Sequence, residues 1–356
     1  MRRVSFGIMG TGRIAHDFSL AFQSMHKFHH ENKSTKYETI RECRIYGVAS
    51  RNSSKSDQFA KEHDIGKSFD SYEKMLQDSN IDIVYVATPN SEHYSNVKLC
   101  LESGKSVLCE KTFTLNEKQA SELFEMARER KLFLMEANWM PFFPLFKKAK
   151  QLIESGEIGQ VHLIHAQLGF KNNHVSNSGL IENSLGGGAL LACGIYPISF
   201  VCMVMNDFSP ETIQSIGTFV NNVDESVECQ FKFSGNRIGK VSTSINAFLD
   251  SSATIHGSLG KIHLGGMHCC PTKLTWTNYS KGHETIELEE PLYGKTEFSQ
   301  FNFPNSEGLA YEIEHVIDCL LESKLESEIV SSNVTINTLK IMDKIRSDIG
   351  LKFIGE

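Results

Sequence analysis

"VSFGIMGTGRIA", Val4 to Ala15, decides the fold. An apolar run of strand length ends in a glycine turn, and residues that open a helical pattern follow at once. In that setting G-x-G-x-x-A has a mechanical meaning. Gly10 permits the tight turn, Gly12 lets backbone approach a pyrophosphate, and Ala15 allows helix to pack closely on strand, with Arg13 and Ile14 completing the turn. The helix start then offers unpaired N–H groups and partial positive charge to phosphates. The stretch predicts a dinucleotide-binding unit.

The residues that follow extend this reading. Short apolar runs recur at 4–9, 43–49, 81–87, 106–109 and 132–135, with helical patterns between them. That alternation predicts a parallel sheet with crossover helices. From Glu117, "EKQASELFEMARERK" puts Ala120, Leu123, Phe124 and Ala127 on one helical face. The insertion "HKFHHENKSTKYETIR", 26–41, has little to pack apart from Tyr37 and is expected as a polar helix end or loop.

After Pro141 the period changes. "ECQFKF" (228–233) and "KVSTSINAF" (240–248) alternate as strands do, and "GSLGKIHLGG" (257–266) reads as a hairpin with glycine turns. Leu309, Ile313, Val316, Ile317, Leu320 and Leu321 share a helical face. The fold class is therefore α/β. A Rossmann dinucleotide-binding domain is expected over 1–136, and over 137–356 an α+β domain with an open, largely antiparallel sheet.

Composition narrows the function. The chain has 356 residues, 40% apolar, with a net charge of −7 and no Lys/Arg stripe, which argues against a nucleic-acid partner. Arg2–Arg3 leads into "VSFGIMG" without an apolar signal region, so the cytoplasm is the expected location. Nine cysteines at irregular spacings, with no C-x-x-C, are read as reduced, buried thiols. No metal is expected: on a strand the side chains of "HCCP" (268–271) would alternate faces and could not close on one ion. "GGGALLACGIYPISFVCMVM", Gly186 to Met205, is uncharged and matches the roughly 20 residues of a bilayer span, but four glycines and Pro197 argue against a membrane.

Three strand ends supply the remaining chemistry. The second strand ends "VASRN", with Ser50 and Arg51 where an NAD site would present an acid. A guanidinium binds phosphate bidentately, which favours NADP; the plainer alternative is a solvated loop charge. "ATPNSEH" (87–93) and "CEKTF" (109–113) end the next two strands on the carboxyl edge, where open α/β sheets bind ligands. Thr88, Pro89, Asn90, Glu110 and Lys111 are thus cofactor-site candidates.

With "GIMGTGRIAHDF", "VASR", the "CEK" turn, "LFLMEANWMPFFP" (132–144), "GGGALLACGIY" (186–196), "CPTKL" (270–274) and "EGLAYEIEHV" (307–316), the sequence resembles the glucose-fructose oxidoreductase, inositol dehydrogenase and rhizopine-catabolism family, Gfo/Idh/MocA. Within it the chain is similar to the dimeric dihydrodiol dehydrogenase branch, nearly end to end. That branch is associated with NADP-dependent oxidation of trans-dihydrodiols and D-xylose. The resemblance implies a homodimer formed through the carboxyl-terminal sheet, a small-molecule diol or sugar as substrate, and Lys111 and Tyr196 as the catalytic pair. It also implies Tyr85 and His93 near the coenzyme and Trp139 and Phe303, with Tyr196, at the substrate. Each has a plainer reading: Tyr85 as strand core, His93 as a polar residue at a helix start, Trp139 and Phe303 as packing.

Two positions depart from the family pattern. Thr112 stands where relatives carry the proline of E-K-P, so a trans bond is expected before it, because a cis bond there costs about 2.5–4 kcal/mol. Ala192 replaces an aspartate one helical turn before Tyr196, and Cys193, about 100° round the helix, cannot substitute for it. The leading expectation is an NADP-dependent dehydrogenase acting on CH–OH or dihydrodiol donors. The alternatives are an NADP-binding sensor that has lost the chemistry, and a ketose or dicarbonyl reductase using the same residues.

Overall fold

A computed structural model describes residues 3–171, 178–282, 284–289, 293 and 300–354. The chain divides into two compact units: 1–113 with 119–139 and 291–332, and 114–118 with 140–290 and 333–356. The segment 291–332, expected in the second domain, belongs to the first unit because its helix packs on the first helix of the chain.

In the first unit, β1 (Ser5–Met9), β2 (Arg44–Ala49), β3 (Ser68–Phe69), β4 (Ile83–Val86), β5 (Ser106–Glu110) and β6 (Leu134–Ala137) form one sheet. Its order is β3-β2-β1-β4-β5-β6, and every pairing is parallel. Helices α1 (Arg13–Glu31), α2 (Tyr37–Ile40), α3 (Ser53–Glu62), α4 (Tyr72–Leu76), α5 (Asn90–Glu102) and α6 (Glu117–Arg130) lie between the strands, and α9 (Leu309–Leu321) is added late in the chain. All five residues of β1 are buried, as a central strand covered on both faces requires. The four residues expected inward on α6 are its buried residues. Strand order reverses between β1 and β4, which makes their carboxyl ends the switch point where such sheets bind ligands.

The insertion at 26–41 packs more than its composition suggests. It comprises the end of α1, a turn and α2. His29 is buried with Nε2 2.5 Å from Glu314, and Lys36 reaches Asp318 at 2.6 Å. Polar partners about 285 residues away in sequence take the place of an apolar face.

The second unit holds β7 (Val161–Gly169), β8 (Thr212–Val220), β9 (Val223–Phe233), β10 (Arg237–Ser244), β11 (Ala253–Gly257), β12 (Gly260–Gly265), β13 (Lys273–Asn278) and β14 (Glu284–Glu289). Their order is β14-β13-β12-β11-β7-β10-β9-β8, antiparallel throughout except for β7–β10. The hairpin read at 257–266 joins β11 to β12. Helices α7 (Pro144–Glu154), α8 (Ile195–Met205) and α10 (Ser332–Ile349) complete the unit.

The uncharged run lies inside this unit. Asn183–Met205 is long and apolar enough to cross a bilayer, yet 94% of its apolar window is buried in the protein. A Cβ on Gly239 of β10 would collide with Val201 of α8, so helix and sheet are in close contact. Two local expectations need correction. Residues 268–270 form a turn, not a strand, because His268 is tied by Nδ1 and N–H to the Ser251 carbonyl. Residues Leu190–Gly194 wind as a wide π turn before α8 begins. All nine cysteines are buried and free.

Candidate active site

The glycine turn is shaped by its neighbours. Gly10 has φ +110°, and a Cβ there would lie 2.5 Å from the Ala87 carbonyl oxygen. Its N–H donates to Ala49 at 2.9 Å, which fixes the turn against β2. Gly12 caps α1 without a side-chain hydrogen bond, and a Cβ on it would meet nothing within 4 Å. The first turn of α1 contains no acidic residue. Unpaired N–H groups under open space suit a pyrophosphate. Ala15 is fully buried, Ile14 half-buried and Arg13 exposed.

At the tip of β2, Ser50 is buried and its Oγ accepts the Asn52 N–H at 3.2 Å, while Asn52 caps α3. Arg51 is exposed, and among the described residues it makes no hydrogen bond or ion pair. A carboxylate in this place would repel a 2′-phosphate; the residues present leave one guanidinium available to bind it.

The turns after β4 and β5 are tied together by His93. Its Nδ1 lies 2.9 Å from the Thr112 carbonyl and its Nε2 2.8 Å from the Thr88 carbonyl, and burial lowers its pKa. Each ring nitrogen thus faces a backbone carbonyl. Thr88 Oγ1 accepts from Asn96 at 3.0 Å, while Pro89 is exposed and Asn90 begins α5. The Lys111–Thr112 bond is cis, which corrects the expected trans bond. His93 holds the carbonyl after that bond, and Glu136 Oε1 accepts the next N–H, that of Phe113, at 3.0 Å.

Beneath this turn lie three buried acids, Glu110, Glu136 and Glu312. Glu110 accepts the Tyr85 hydroxyl at 2.5 Å and the Lys111 N–H at 3.2 Å. Burial pushes its pKa up to about 7, opposed by the Tyr85 bond and the Lys111 charge. Glu312 has no hydrogen-bond partner among the described residues; burial, with Glu110 and Glu136 nearby, raises it well above the usual carboxylate range. Tyr85 is fully buried and stacks on Phe18 with centroids 3.8 Å apart. Its position in β4 makes it core, with its hydroxyl already taken by Glu110.

In the second unit Tyr196 opens α8 and is 7% exposed, and Ser199 Oγ donates to its carbonyl at 3.1 Å. Cys193 points to the sheet, its Sγ 2.9 Å from Thr243 Oγ1, and Ala192 is half-buried. The segment is anchored by Asp224 on β9, whose Oδ2 accepts the Leu190 N–H at 2.6 Å. Burial raises the Asp224 carboxyl to about 7.

These raised carboxyls have a consequence for stability. Asp and Glu titrate near about 4 in an unfolded chain, whereas Glu110 and Asp224 titrate at about 7 here. The stability they contribute is complete below the unfolded value and is lost as pH rises through the folded one. The thermal midpoint should fall by several degrees between pH 5 and pH 8, and Asp224→Asn should flatten that slope. Calorimetric melts that are level or rising over this range would contradict it.

Lys111, half-buried, belongs to the first unit and Tyr196 to the second. Trp139 is buried at the end of the first unit. Phe303 is 39% exposed and lies 4.8 Å under the Arg13 guanidinium, beside the glycine turn. Asp17 brings it there: one buried carboxylate accepts the N–H groups of Asn302 and Phe303, the Asn302 side chain and the Ser306 hydroxyl. Sequence reasoning missed Asp17. The available signal was a charge on the apolar face of "IAHDFSLAF".

A parallel sheet with an uncapped glycine-turn helix at its switch point, joined to a second unit with an open sheet, defines a dinucleotide-binding oxidoreductase. The chain belongs to the Gfo/Idh/MocA oxidoreductase family. The model of that family's NAD-binding Rossmann fold matches residues 4–138, and the model of its C-terminal domain matches residues 146–263. The trans-1,2-dihydrobenzene-1,2-diol dehydrogenase of Xenopus laevis is 34% identical over 98% of each chain. Among solved structures, levoglucosan dehydrogenase in complex with NADH and levoglucosan matches with a TM-score of 0.85 at 18% identity, over 98% of both chains. A 3-ketoreductase from Actinomadura kijaniata, in complex with NADP and TDP-benzene, matches with a TM-score of 0.81 at 19% identity, again over 98% of both.

Proposed function

We propose that the chain is a cytosolic, homodimeric, NADP-dependent dehydrogenase. It moves hydride between nicotinamide and a secondary alcohol, that of a trans-dihydrodiol or an aldose such as D-xylose. The observation that carries the coenzyme choice is Arg51, without a hydrogen bond or ion pair among the described residues at the tip of β2 and not followed by an acid. The substrate class rests on the dihydrodiol dehydrogenase relative, similar along nearly the whole chain.

Nicotinamide, when bound, accepts the hydride that leaves the alcohol carbon. The N–H groups at the start of α1, with Gly12, would hold its pyrophosphate, and Arg51 with Ser50 would hold the ribose phosphate. Tyr196 takes the hydroxyl proton, so that the alcohol becomes a carbonyl. A free phenol titrates at about 10 and needs a cation to act as base at neutral pH; the family resemblance gives that role to Lys111. Within the first unit Glu110 accepts the Lys111 N–H and interacts with its charge.

Rates with NADP⁺ and NAD⁺ on trans-dihydrodiols and D-xylose test the reading. Preference for NADP⁺ with turnover of either substrate supports it; preference for NAD⁺ rejects the role of Arg51. Arg51→Ala removes a charge-assisted contact worth about 1.5–3 kcal/mol. NADPH affinity should therefore fall about 10- to 100-fold while NADH affinity holds, measured by fluorescence titration. Ala192 favours a second reading, a sensor of the same fold, which tight NADPH binding without turnover on either substrate would select.

A further inference from the structure

We propose that His16, Glu62 and His63 form a binding site for a zinc-class divalent ion in the first unit. His16 lies on the second turn of α1, Glu62 ends α3, and His63 follows it. One ligand atom from each lies within 4.8 Å of the other two. The inference is independent of the proposed reaction.

The hydrogen bonding points to a missing cation. His16 Nε2 sits 3.3 Å from the Gln300 carbonyl oxygen, which only accepts, so that nitrogen carries the proton. Nδ1 is then the bare nitrogen, and it faces Glu62 Oε1 at 3.4 Å. Two acceptors facing each other need a positive charge between them. In a tetrahedral site with bonds of about 2.0–2.2 Å, neighbouring ligand atoms are about 3.3–3.5 Å apart, the spacing this pair already has. The Gln300 carbonyl is also the outer partner that fixes the tautomer of a metal-bound imidazole.

His63 supplies the second, separate observation. Its ring is 4% exposed, and neither nitrogen has a hydrogen-bond partner among the described residues. It packs edge-on to His16 with centroids 4.6 Å apart and leans on Phe59 at 4.3 Å. Gln23 Nε2 holds its carbonyl at 3.0 Å, so the backbone is fixed while the ring nitrogens are idle. A proton on His16 would satisfy Glu62 and do nothing for His63; a metal ion satisfies all three.

The donor set chooses the ion. Two imidazoles and one carboxylate suit zinc and its first-row neighbours, whereas calcium and magnesium take oxygen ligands. The fourth position is left to water. Such an ion would fasten α1, whose start forms the coenzyme turn, to α3, which follows Arg51.

The test uses the full, untagged chain stripped with chelator. Co²⁺ is titrated at pH 7.5 and followed by its visible d–d absorption, Zn²⁺ by calorimetry, and Zn²⁺ is then used to displace Co²⁺. The expected result is one equivalent per chain, a raised thermal midpoint with Zn²⁺, and no displacement by excess Mg²⁺. His16→Gln, at a partly exposed position, and His63→Leu should each weaken Zn²⁺ binding at least about tenfold. No stoichiometric binding, Mg²⁺ competing equally, or His16→Gln binding like the parent would each overturn the proposal. The second of these would mean an acidic surface, and the first an imidazolium–carboxylate pair without metal.

Discussion

Tyr196→Phe should fold, bind NADPH with parental affinity and turn over its alcohol substrate about 10²- to 10⁴-fold more slowly, the range for loss of a positioned proton-transfer group. At about 1.36 kcal/mol per decade this is roughly 3–5.5 kcal/mol of transition-state stabilisation removed by one oxygen atom. The ring keeps its packing, since Tyr196 is 7% exposed at the first turn of a wholly buried helix. On the proposed reading coenzyme affinity rests on the glycine turn and Arg51, which belong to the other unit, so it supplies the internal control. A loss shared between coenzyme binding and turnover would indicate misfolding, which a thermal melt separates. Unchanged turnover with tight NADPH binding would reject Tyr196 as the base, and with it the proposed mechanism.

The parts of the fold legible in the sequence are those written locally. A strand, a glycine turn and a helix occupy adjacent residues from Val4 to Glu31, so periodicity and turn chemistry suffice to place them. The α6 face and the β11–β12 hairpin were readable for the same reason. What was not legible depends on residues remote in sequence. Asp17 is a charge on an apolar face until Asn302, Phe303 and Ser306 come to meet it. His29 and Lys36 look like solvent residues until Glu314 and Asp318 pack beside them. Glu312 sits in a helix whose apolar face was read correctly, with no local mark of its burial beside Glu110 and Glu136. Tyr85 shows what periodicity can give: the alternative of strand core was already readable, and the ring is fully buried on Phe18.

The segment that carries Tyr196 gives the other large effect. Gly188→Ala should destabilise the protein by about 2–6 kcal/mol, from two contributions of about 1–3 kcal/mol each: a side chain at positive φ and overpacking. Gly188 has φ +112°, and its added Cβ would overlap Asp224 Oδ1 and lie 2.9 Å from Asp224 Cγ. That carboxyl cannot retreat without releasing the Leu190 N–H, the bond at the start of the π turn that leads into α8. Activity should fall with stability, because Tyr196 lies on the first turn after that anchor. Gly66→Ala, where an added Cβ meets nothing within 4 Å, should stay within about 0.5 kcal/mol of the parent in the same urea melts. If collision with Asp224 is the cause, Gly188→Ala combined with Asp224→Ala will cost less than the sum of the two single changes, because the second removes the group that the first strikes. Strict additivity would assign the whole loss to backbone strain at residue 188 and leave Asp224 a separate anchor.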